Sequence, residues 1–377
     1  MAMKFVVACG GTGGHTFPGL AVAHELRRRG PDVVVWTSGR SIEKSAMSCW
    51  DGPVFSTGAR QLRIRSLLYN GFSYLRCRRE MKRFAPDAIL AMGSYSSLPP
   101  VMAARAFRVP VVLHEANTVP GRAVDFLSRY AAAVAISFAE TAERLHGRRT
   151  VLTGLPVRDG IASGERFEDV PADSFCVFVT GGSQGAHRIN ELATQALAIV
   201  RRDAAKVPGM HSLYVIHQTG AADENVVLHR YEEANVPARV KAFENEMARA
   251  IATADIVVAR AGASTCFELA LAGKPAFFMP LPTALRDHQH HNAQTFVRKG
   301  AADEGDQALL SARSLANYIL NRMSHPETLA RMSAAMRSLA VPDAAARTAD
   351  LLEECARGGA GGGHVVNGYT EKKDEMD

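Results

Sequence analysis

The chain has 377 residues, of which 47% are hydrophobic and 22% are charged, and its formal net charge is +6. This composition excludes an intrinsically disordered protein and suits two globular domains. The longest apolar run, around residues 131–139, is too short for a membrane-spanning helix, which takes about 18 residues. The six cysteines show no C-x-x-C pair, so neither a disulfide framework nor a cysteine metal site is expected. No signal peptide is recognised, and a cytoplasmic location is expected.

Short β-branched runs alternate with longer amphipathic stretches along the whole chain. In the first part, strands are predicted at residues 4–9, 32–37, 88–92, 109–114 and 151–153. In the second part they are predicted at residues 175–179, 213–217, 240–243, 256–259 and 276–279. This alternation predicts an α/β protein with two doubly wound parallel sheets. Such sheets bind ligands at the carboxyl ends of their strands, so we expect a site in the cleft between the two domains.

The domain boundary is predicted in residues 154–173, which are rich in Gly, Pro and acidic residues and lack a clear period. Residues 1–156 then form the first domain and residues 157–342 the second. Residues 343–356 are predicted to form a helix that packs back on the first domain. The tail at residues 357–377 is rich in glycine and charge and is predicted to be disordered.

The first predicted strand ends in the sequence GGTGGH at residues 10–15, and Pro18 is predicted to open the following helix. A glycine-rich turn that leads into a helix N-terminus is suited to binding an anion, although it also serves as a plain tight turn. The dinucleotide fingerprint G-x-G-x-x-G is not matched, because Thr16 occupies the third glycine position. The second part of the chain repeats the pattern with GGSQGA at residues 181–186, where Ser183 could also act as an N-cap.

Two segments of the second part carry further polar groups. Thr265 and Glu268 have the spacing of a capping box, but Glu268 could equally accept hydrogen bonds from a ribose diol. The segment DHQHHNA at residues 287–293 concentrates groups that recognise sugar hydroxyls. The spacing of its three histidines fits no standard metal site, so no metal is predicted.

In the first part, GSYSS at residues 93–97 and HEAN at residues 114–117 each follow a predicted strand. Their position predicts an acceptor site, although single polar residues there could simply be helix caps.

Residues 60–83 hold eight basic side chains and one acidic side chain, mixed with apolar ones. This mixture favours an anionic lipid surface over a nucleic acid as partner. The alternative is a solvated helix whose apolar face belongs to the core. The predicted membrane patch comprises Leu67, Leu68, Phe72, Leu75, Arg76, Arg78, Arg79 and Lys82.

Seven motifs in order resemble the MurG family of bacterial glycosyltransferases, which make lipid II. They are GGTGGHTFPGLAVAHEL, HEANTVPG, GLPVR, GGSQGAHRINE, HQTG, RAGASTCFELALAGKP and DHQHHNA, and the likeness runs from about residue 4 to 345. The resemblance implies a GT-B fold of two Rossmann-like domains facing across a cleft. It also implies inverting transfer of N-acetylglucosamine from UDP-GlcNAc to lipid I, by a peripheral protein at the cytoplasmic face of the inner membrane.

The resemblance also implies roles for single residues. The implied catalytic residues are His15, as candidate base, together with Thr12 and Tyr95. The implied acceptor-phosphate loop consists of Gly13, Gly14 and His15. In that loop His15 could bind the phosphate instead of acting as the base. Asn117 is a further acceptor residue. The implied donor contacts are Thr12, Gly13, Gly14, Asn117, Arg158, Ser183, Gln184, Glu244, Thr265, Glu268, Gln289 and Asn292. Within this set, Ser183 belongs at the phosphates, Glu268 at the ribose, and Gln289 and Asn292 at the sugar.

No cofactor is implied, and the implied partners are lipid I, an anionic membrane and other proteins of cell-wall synthesis and division. Three positions depart from the family pattern. GLPVR at residues 154–158 replaces GNPVR, HEAN replaces HEQN, and Glu244 replaces an apolar residue in the stretch that contacts uracil. Two alternatives stay open at this point. One is a related transferase with another lipid acceptor, such as diacylglycerol, and the other is a membrane scaffold that binds a UDP-sugar without turnover.

Overall fold

The computed structural model describes residues 2–11, 13–40, 43, 47–61, 67–182, 185–207 and 211–358. The chain folds into two units. The first contains the residues up to Ala116, the segment Pro120–Gly154 and the residues from Ala345 on. The second contains Asn117–Val119 and Leu155–Ala344. The predicted boundaries, after residues 156 and 342, each lie two residues from these crossings.

The first unit is built on a parallel sheet of seven strands in the order β3-β2-β1-β4-β5-β6-β7. The strands are β1 (Lys4–Ala8), β2 (Asp32–Thr37), β3 (Val54–Ser56), β4 (Ala88–Ala91), β5 (Val111–Glu115), β6 (Ala133–Ile136) and β7 (Thr150–Leu152). The helices are α1 (Gly13–Arg29), α2 (Leu67–Phe84), α3 (Leu98–Ala106), α4 (Arg122–Leu127) and α5 (Thr141–Arg144). Alternate side chains of β1 enter different cores: Phe5 and Val7 pack on one face of the sheet, Val6 and Ala8 on the other. Burial on both faces explains why the strands read as continuous apolar runs.

The second unit has a parallel sheet of six strands in the order β10-β9-β8-β11-β12-β13. These are β8 (Phe175–Thr180), β9 (Leu213–Gln218), β10 (Ala238–Lys241), β11 (Ile256–Ala259), β12 (Ala276–Phe278) and β13 (Ala302–Glu304). The helices are α6 (His187–Ala204), α7 (Glu224–Glu233), α8 (Met247–Thr253), α9 (Ala263–Ala272), α10 (His288–Val297), α11 (Ala312–Ser324) and α12 (Pro326–Ser338). The fold class predicted from the sequence, with two doubly wound parallel sheets, is confirmed.

Each sheet has one point where the strand order reverses. In the first unit β1 lies between β2 and β4, and in the second β8 lies between β9 and β11. Ligands of open α/β sheets bind outside the carboxyl ends of the strands at such points. The two glycine-rich turns follow β1 and β8, so both lie where this rule places a ligand.

The last helix, α13 (Ala344–Ala356), returns to the first unit. Its buried Leu351, Leu352 and Cys355 join the same core cluster as Phe5 of β1. The Arg29 guanidinium at the end of α1 donates to Glu353 Oε1 at 3.2 Å and to the main-chain oxygen of Ala346 at 3.2 Å. The core on one face of the first sheet therefore combines residues of β1 with residues that follow the second unit.

Two sequence predictions about elements are wrong, and one strand noted only as an apolar run was missed. Pro18 does not open a helix, because α1 already begins at Gly13 and contains the proline. The strand predicted at residues 240–243 lies at Ala238–Lys241, since the main-chain nitrogen of Ala242 donates to the Glu224 carboxylate at 2.8 Å and the chain leaves the sheet. The strand β6 was not predicted, although its apolar sequence was noted. Within the part of the chain that the structure describes, no helix is both long and apolar enough to cross a membrane.

Candidate functional site

The buried carboxylate of Glu43 stabilises the first glycine-rich turn through hydrogen bonds. Its Oε1 accepts a hydrogen bond from the main-chain nitrogen of Gly11 at 2.7 Å and from the Ser38 hydroxyl. Its Oε2 accepts from the main-chain nitrogens of Gly39 at 2.9 Å and Arg40 at 3.2 Å. Glu43 is 2% exposed, and it ties the turn after β1 to the turn after β2. The sequence analysis did not identify this residue, because its partners are main-chain groups of distant segments.

The geometry of the turn requires its glycines. Gly11 has a φ of +122°, and a Cβ on Gly10 would lie 2.5 Å from the main-chain nitrogen of Ser38. Helix α1 begins two residues after Gly11, at Gly13. The first main-chain N–H groups of a helix have no partner within it, so Gly13, Gly14 and His15 present such groups at the helix start. Thr12 lies outside the described residues.

The loop after β4 packs against this turn. The Ser96 hydroxyl donates to the main-chain oxygen of Gly10, and a Cβ on Gly11 would lie 2.7 Å from Ser94 Oγ. Ser94 has a φ of +66°, a strained conformation of the kind that concentrates at functional sites. The loop also reaches His15, since a Cβ on Gly93 would lie 3.8 Å from its Cδ2. The GSYSS segment and the first turn therefore form one cluster.

Tyr95 lies in the same loop, and its hydroxyl accepts a hydrogen bond from Arg40 Nη1 at 3.1 Å. His114, the first residue of HEAN, is fully buried, and its Nε2 lies 3.2 Å from the main-chain oxygen of Gly154. Burial lowers the pKa of His114 to about 4, so it is neutral near pH 7. Glu115 is also buried, and it accepts a hydrogen bond from the main-chain nitrogen of Gly121 at 2.8 Å.

The second glycine-rich turn is held by neutral groups. The main-chain nitrogen of Gly182 donates to the Thr180 hydroxyl at 3.1 Å, and its oxygen accepts from Gln218 Nε2 at 2.8 Å. Gly185 has a φ of +74°, and a Cβ there would lie 2.0 Å from the main-chain oxygen of Thr219. Helix α6 begins at His187, directly after this turn. Two of the predicted donor residues, Ser183 and Gln184, lie outside the described part of the chain.

Gln218 links the second turn to the predicted uracil-contacting stretch. While its Nε2 holds Gly182, its Oε1 accepts from the main-chain nitrogen of Glu244 at 3.3 Å. The Glu244 side chain is only 2% exposed and points into a set of cations, with Lys241 Nζ at 3.4 Å and Arg239 Nε at 3.6 Å. The carboxylate of Glu244, which stands where the family has an apolar residue, is therefore paired with cations. Gln218 was noted in the sequence only as part of a motif.

Arg158 and Glu268, two predicted donor contacts, form an ion pair. Arg158 Nε lies 2.8 Å from Glu268 Oε1, and the two side chains are 28% and 8% exposed. Burial raises the pKa of Glu268, and the neighbouring Arg158 opposes this effect. The capping-box interpretation of Thr265 is wrong, because the N-cap of α9 is Gly262 and Thr265 lies inside the helix. The structure thus leaves the Glu268 carboxylate beside a half-buried cation.

Helix α10 carries the DHQHHNA segment and begins with strained backbone, since Arg286 and Asp287 have φ values of +55° and +54°. Gln289 Oε1 accepts from the main-chain nitrogen of Leu281 at 3.0 Å. His290 Nδ1 lies 2.7 Å from Glu304 Oε1. Within the described ranges, no group of three or more His, Cys, Asp or Glu side chains could hold a metal ion.

Asn292 is fully buried and uses every hydrogen-bonding site of its amide. Its Oδ1 accepts from the nitrogen and the hydroxyl of Thr118, at 3.0 and 3.1 Å. Its Nδ2 donates to Asn117 Oδ1 and to the main-chain oxygen of Ala261, both at 3.1 Å. The segment Asn117–Val119 belongs to the second unit, and Asn292 fixes it there.

Helix α2 exposes both apolar and basic side chains. Leu68, Phe72 and Leu75 are 78%, 66% and 58% exposed, while the opposite face buries Cys77 and Met81. The predicted patch residues Arg76, Arg78, Arg79 and Lys82 are also exposed. The side chain of Leu67 and residues 62–66 lie outside the described residues. Because the core uses the other face, the exposed apolar residues of α2 are not core residues.

Family models match most of the chain. The model of the glycosyltransferase family 28 N-terminal domain matches residues 5–136, and that of the family 28 C-terminal domain matches residues 176–348. A relative from Pelobacter propionicus is 38% identical in an alignment of 375 positions that covers 91% of this chain and 97% of that protein. A relative from Stutzerimonas stutzeri is 38% identical in an alignment of 370 positions that covers 95% of this chain and 100% of that protein. Both carry the name UDP-N-acetylglucosamine--N-acetylmuramyl-(pentapeptide) pyrophosphoryl-undecaprenol N-acetylglucosamine transferase.

Two solved structures are similar to this chain over most of its length. The crystal structure of Acinetobacter baumannii MurG has a TM-score of 0.74 at 29% identity and covers 94% of this chain and 100% of that chain. The UDP-GlcNAc 2-epimerase from Neisseria meningitidis, bound to UDP-GlcNAc, has a TM-score of 0.71 at 13% identity over 93% of this chain and 100% of that one. At that low identity the second likeness shows the fold alone.

Proposed function

This chain belongs to glycosyltransferase family 28, and on that premise we propose how its residues carry out the reaction for which its relatives are named. The chain transfers N-acetylglucosamine from UDP-GlcNAc to the muramyl sugar of lipid I, which forms lipid II for peptidoglycan synthesis. The observation that carries this assignment is 38% identity to such a transferase over 95% of the chain. The resemblance to the MurG family seen in the sequence is thereby confirmed.

The second unit binds the donor in this proposal. Glu268 accepts hydrogen bonds from the ribose diol, and the Arg158 guanidinium favours the charged form of this carboxyl against the effect of burial, which raises its pKa. The turn at Gly181–Gly185 and the start of α6 receive the diphosphate, because main-chain N–H groups there face the ligand and the helix dipole favours an anion. Ser183, Gln184 and Thr265 complete this set.

The base and the sugar of the donor are assigned to two other segments. Glu244 presents its main-chain oxygen to uracil, since its carboxylate is used by Lys241 and Arg239 and its main-chain nitrogen by Gln218. Gln289 contacts the sugar hydroxyls. Asn292 holds Asn117 and Thr118 in place instead of touching the sugar, because its amide has no hydrogen-bonding site left.

The first unit binds the acceptor and supplies the base. The acceptor hydroxyl attacks the anomeric carbon opposite UDP, the bond to the diphosphate breaks, and the configuration inverts. One such displacement needs one base, and His15 is the candidate that takes the hydroxyl proton. The start of α1 at Gly13 and Gly14 is the candidate site of the acceptor diphosphate, where His15 would instead be a ligand. Tyr95 lies in the loop that packs against this turn, and Thr12 is assigned to catalysis together with it.

Helix α2 brings the enzyme to its membrane-bound acceptor. Its exposed Leu68, Phe72 and Leu75 enter the lipid interface while the neighbouring cations meet anionic headgroups. The protein then works as a peripheral protein at the cytoplasmic face of the inner membrane, in the company of other cell-wall synthesis and division proteins. The reaction requires no resident metal in this proposal, since main-chain amides and the helix dipole stabilise the leaving diphosphate.

The test is transfer from UDP-GlcNAc to a short-chain lipid I analogue, followed by mass spectrometry of the acceptor and of released UDP. We expect the acceptor to gain the mass of one N-acetylhexosamine and UDP to appear in equal amount. Donor binding without any product would contradict the assignment. It would then favour another lipid acceptor, which a diacylglycerol assay would reveal, or a scaffold without turnover.

A further inference from the structure

The first unit contains a cavity of about 710 Å³ to which the function proposed above assigns no ligand. It lies where β2, β3 and β4 end, and its wall includes Arg40, Arg60, Tyr69 and Tyr95. Its volume falls in the range of small-molecule sites, which is about 300 to 1,000 Å³. Tyr69 belongs to α2, so the cavity adjoins the helix with the exposed apolar side chains.

Two guanidinium groups in this wall are held in place by aromatic neighbours. Arg40 Nη1 donates to the Tyr95 hydroxyl at 3.1 Å. The Arg60 guanidinium lies 4.0 Å from the centre of the Tyr69 ring. The backbone of Arg60 is fixed by Asn70, whose amide oxygen accepts from the Arg60 nitrogen at 3.0 Å and whose Nδ2 donates to the Arg60 oxygen at 3.1 Å.

Neither guanidinium pairs with a carboxylate among the residues that the structure describes. Arginines oriented by neighbouring aromatic rings and lacking a counter-charge are suited to holding a planar oxyanion in a bidentate way. The main-chain nitrogens of Gly39 and Arg40 are already used by Glu43. Recognition of an anion on this wall therefore falls to the side chains.

We propose that this cavity binds the peptide of the acceptor, with Arg40 and Arg60 holding its carboxylate groups. The proposal rests on the function proposed above, in which the acceptor is a muramyl pentapeptide linked to a lipid diphosphate. Because muramic acid is a carboxylic acid, its peptide is joined through the amino end and keeps its terminal carboxylate. The serine, glycine and tyrosine groups of the wall offer hydrogen bonds to peptide amides.

The diphosphate of the acceptor is the other source of oxyanions, and the cavity suits it less well. Diphosphates bind where unpaired main-chain N–H groups converge at a helix start. In the wall of this cavity, the main-chain nitrogens of Gly39 and Arg40 already donate to Glu43. The cavity is also large enough for several peptide residues, and its position beside α2 matches an acceptor that arrives from a membrane.

The test compares three short-chain lipid I analogues at saturating UDP-GlcNAc. The first has free peptide carboxylates, the second has them converted to carboxamides, and the third lacks the peptide. They are assayed with the wild type, Arg40→Gln, Arg60→Gln and the control Arg148→Gln, an exposed arginine of the same unit outside this cavity. The KM for UDP-GlcNAc is measured for each variant, because it should not change.

We expect the wild type to show a KM for the carboxamide analogue about five- to tenfold above that for the carboxylate analogue. In Arg40→Gln and Arg60→Gln this ratio should fall toward one, while Arg148→Gln keeps the wild-type ratio. An unchanged ratio in both cavity variants would overturn the proposal. So would an equal loss on the peptide-free analogue, which would assign the arginines to the diphosphate. Absence of transfer to any analogue by the wild type would refute the proposed function itself.

Discussion

The two glycine-rich turns look alike in the sequence but are supported differently. The first has the carboxylate of Glu43 bound to the main-chain nitrogen of Gly11. The second is held by the neutral Gln218 amide and the Thr180 hydroxyl at Gly182. Both follow a strand at the reversal point of a sheet and both lead into a long helix. The sequence pattern therefore defines the shape of the turn, while the residue behind it decides how strongly the turn attracts an anion.

Because of this difference, we expect the second turn to bind an anion more strongly than the first. A fixed negative charge behind the first turn opposes a diphosphate there, and the Gly11 amide is no longer available to one. At the first turn, the proposed anion site is the start of α1 at Gly13 and Gly14. We expect variants of the second turn to act on the donor and variants behind the first turn to act on the acceptor.

The largest effect is expected for Gly185→Ala in the second turn. A Cβ there would lie 2.0 Å from the main-chain oxygen of Thr219, so the turn must open. We expect donor affinity to fall by about a hundredfold, which corresponds to about 3 kcal/mol. Calorimetric titration with UDP-GlcNAc measures this change.

Gly182→Ala is the matched control. Gly182 also has a positive φ, of +83°, but a Cβ there would meet nothing within 4 Å. Only the strain of the left-handed conformation remains, about 1 to 2 kcal/mol, which thermal unfolding would show. Equal losses of donor affinity in the two variants would mean that backbone strain, and not the close contact with Thr219, causes the loss.

Glu268→Ala is expected to come next. The variant removes the proposed ribose ligand and the partner of Arg158. Donor affinity should fall by about 1.5 to 3 kcal/mol, the usual size for hydrogen bonds to a charged group. Glu191→Ala, which removes an exposed ion pair with Arg188 on α6, serves as control.

The same site predicts a pH dependence. Burial raises the pKa of Glu268, and only its charged form accepts both ribose hydrogen bonds. As the pH falls, donor affinity of the wild type should therefore decline at a higher pH than an exposed glutamate would give. Glu268→Gln should lack this part of the pH profile, and identical profiles for the two proteins would remove Glu268 from the ribose.

Glu43→Gln tests the first turn. An amide in place of the carboxylate directs N–H groups toward main-chain N–H groups that now donate to Glu43. We expect about 1 to 3 kcal/mol less stability and roughly a tenfold lower kcat/KM for the acceptor, with donor affinity unchanged. Glu80→Gln, a glutamate of α2 paired with Arg83, is the control. A change in donor affinity alone would contradict the division between the two turns.

The smallest effect is expected for Arg79→Gln on the exposed face of α2. One cation near an anionic bilayer contributes about 1 kcal/mol, so binding to vesicles with anionic lipid should weaken about fivefold. Arg148→Gln should leave vesicle binding unchanged. Arg76 is a poorer choice, because its Nη2 also donates to the main-chain oxygen of Ser56 at 2.8 Å. Equal partitioning of Arg79→Gln and wild type at low salt would exclude this face from membrane binding.

The fold could be predicted because its signals are local. The apolar run of β1 and the glycine turn after it are visible within about ten residues of sequence. Three short strands were missed because their local signals are weak: β3 and β13 have only three residues each, β6 has four, and Asp303 and Glu304 make β13 look polar. The position of Pro18 was misleading because prolines are common at the first position of a helix, whereas Pro18 is the sixth residue of α1 and removes one hydrogen bond inside it.

The supports of the site could not be predicted from the sequence. Glu43 and Gln218 form hydrogen bonds with main-chain groups. Because every residue type has such groups, the sequence does not show which residues are their partners. Asn292 shows the reverse case, since its motif suggested a sugar ligand and its neighbours use all of its hydrogen bonds. Residue type alone does not tell whether an amide faces a ligand or a neighbouring loop.

The return of α13 to the first unit has a consequence for how the protein is made. The core around Phe5 includes Leu351 and Leu352, which the ribosome adds only after the whole second unit. Apart from the short segment Asn117–Val119, the second unit is one continuous stretch that ends at Ala344. Nascent domains usually fold in the order in which they emerge. Here the domain that emerges first has to wait for the last helix, so the inserted domain can be complete before it.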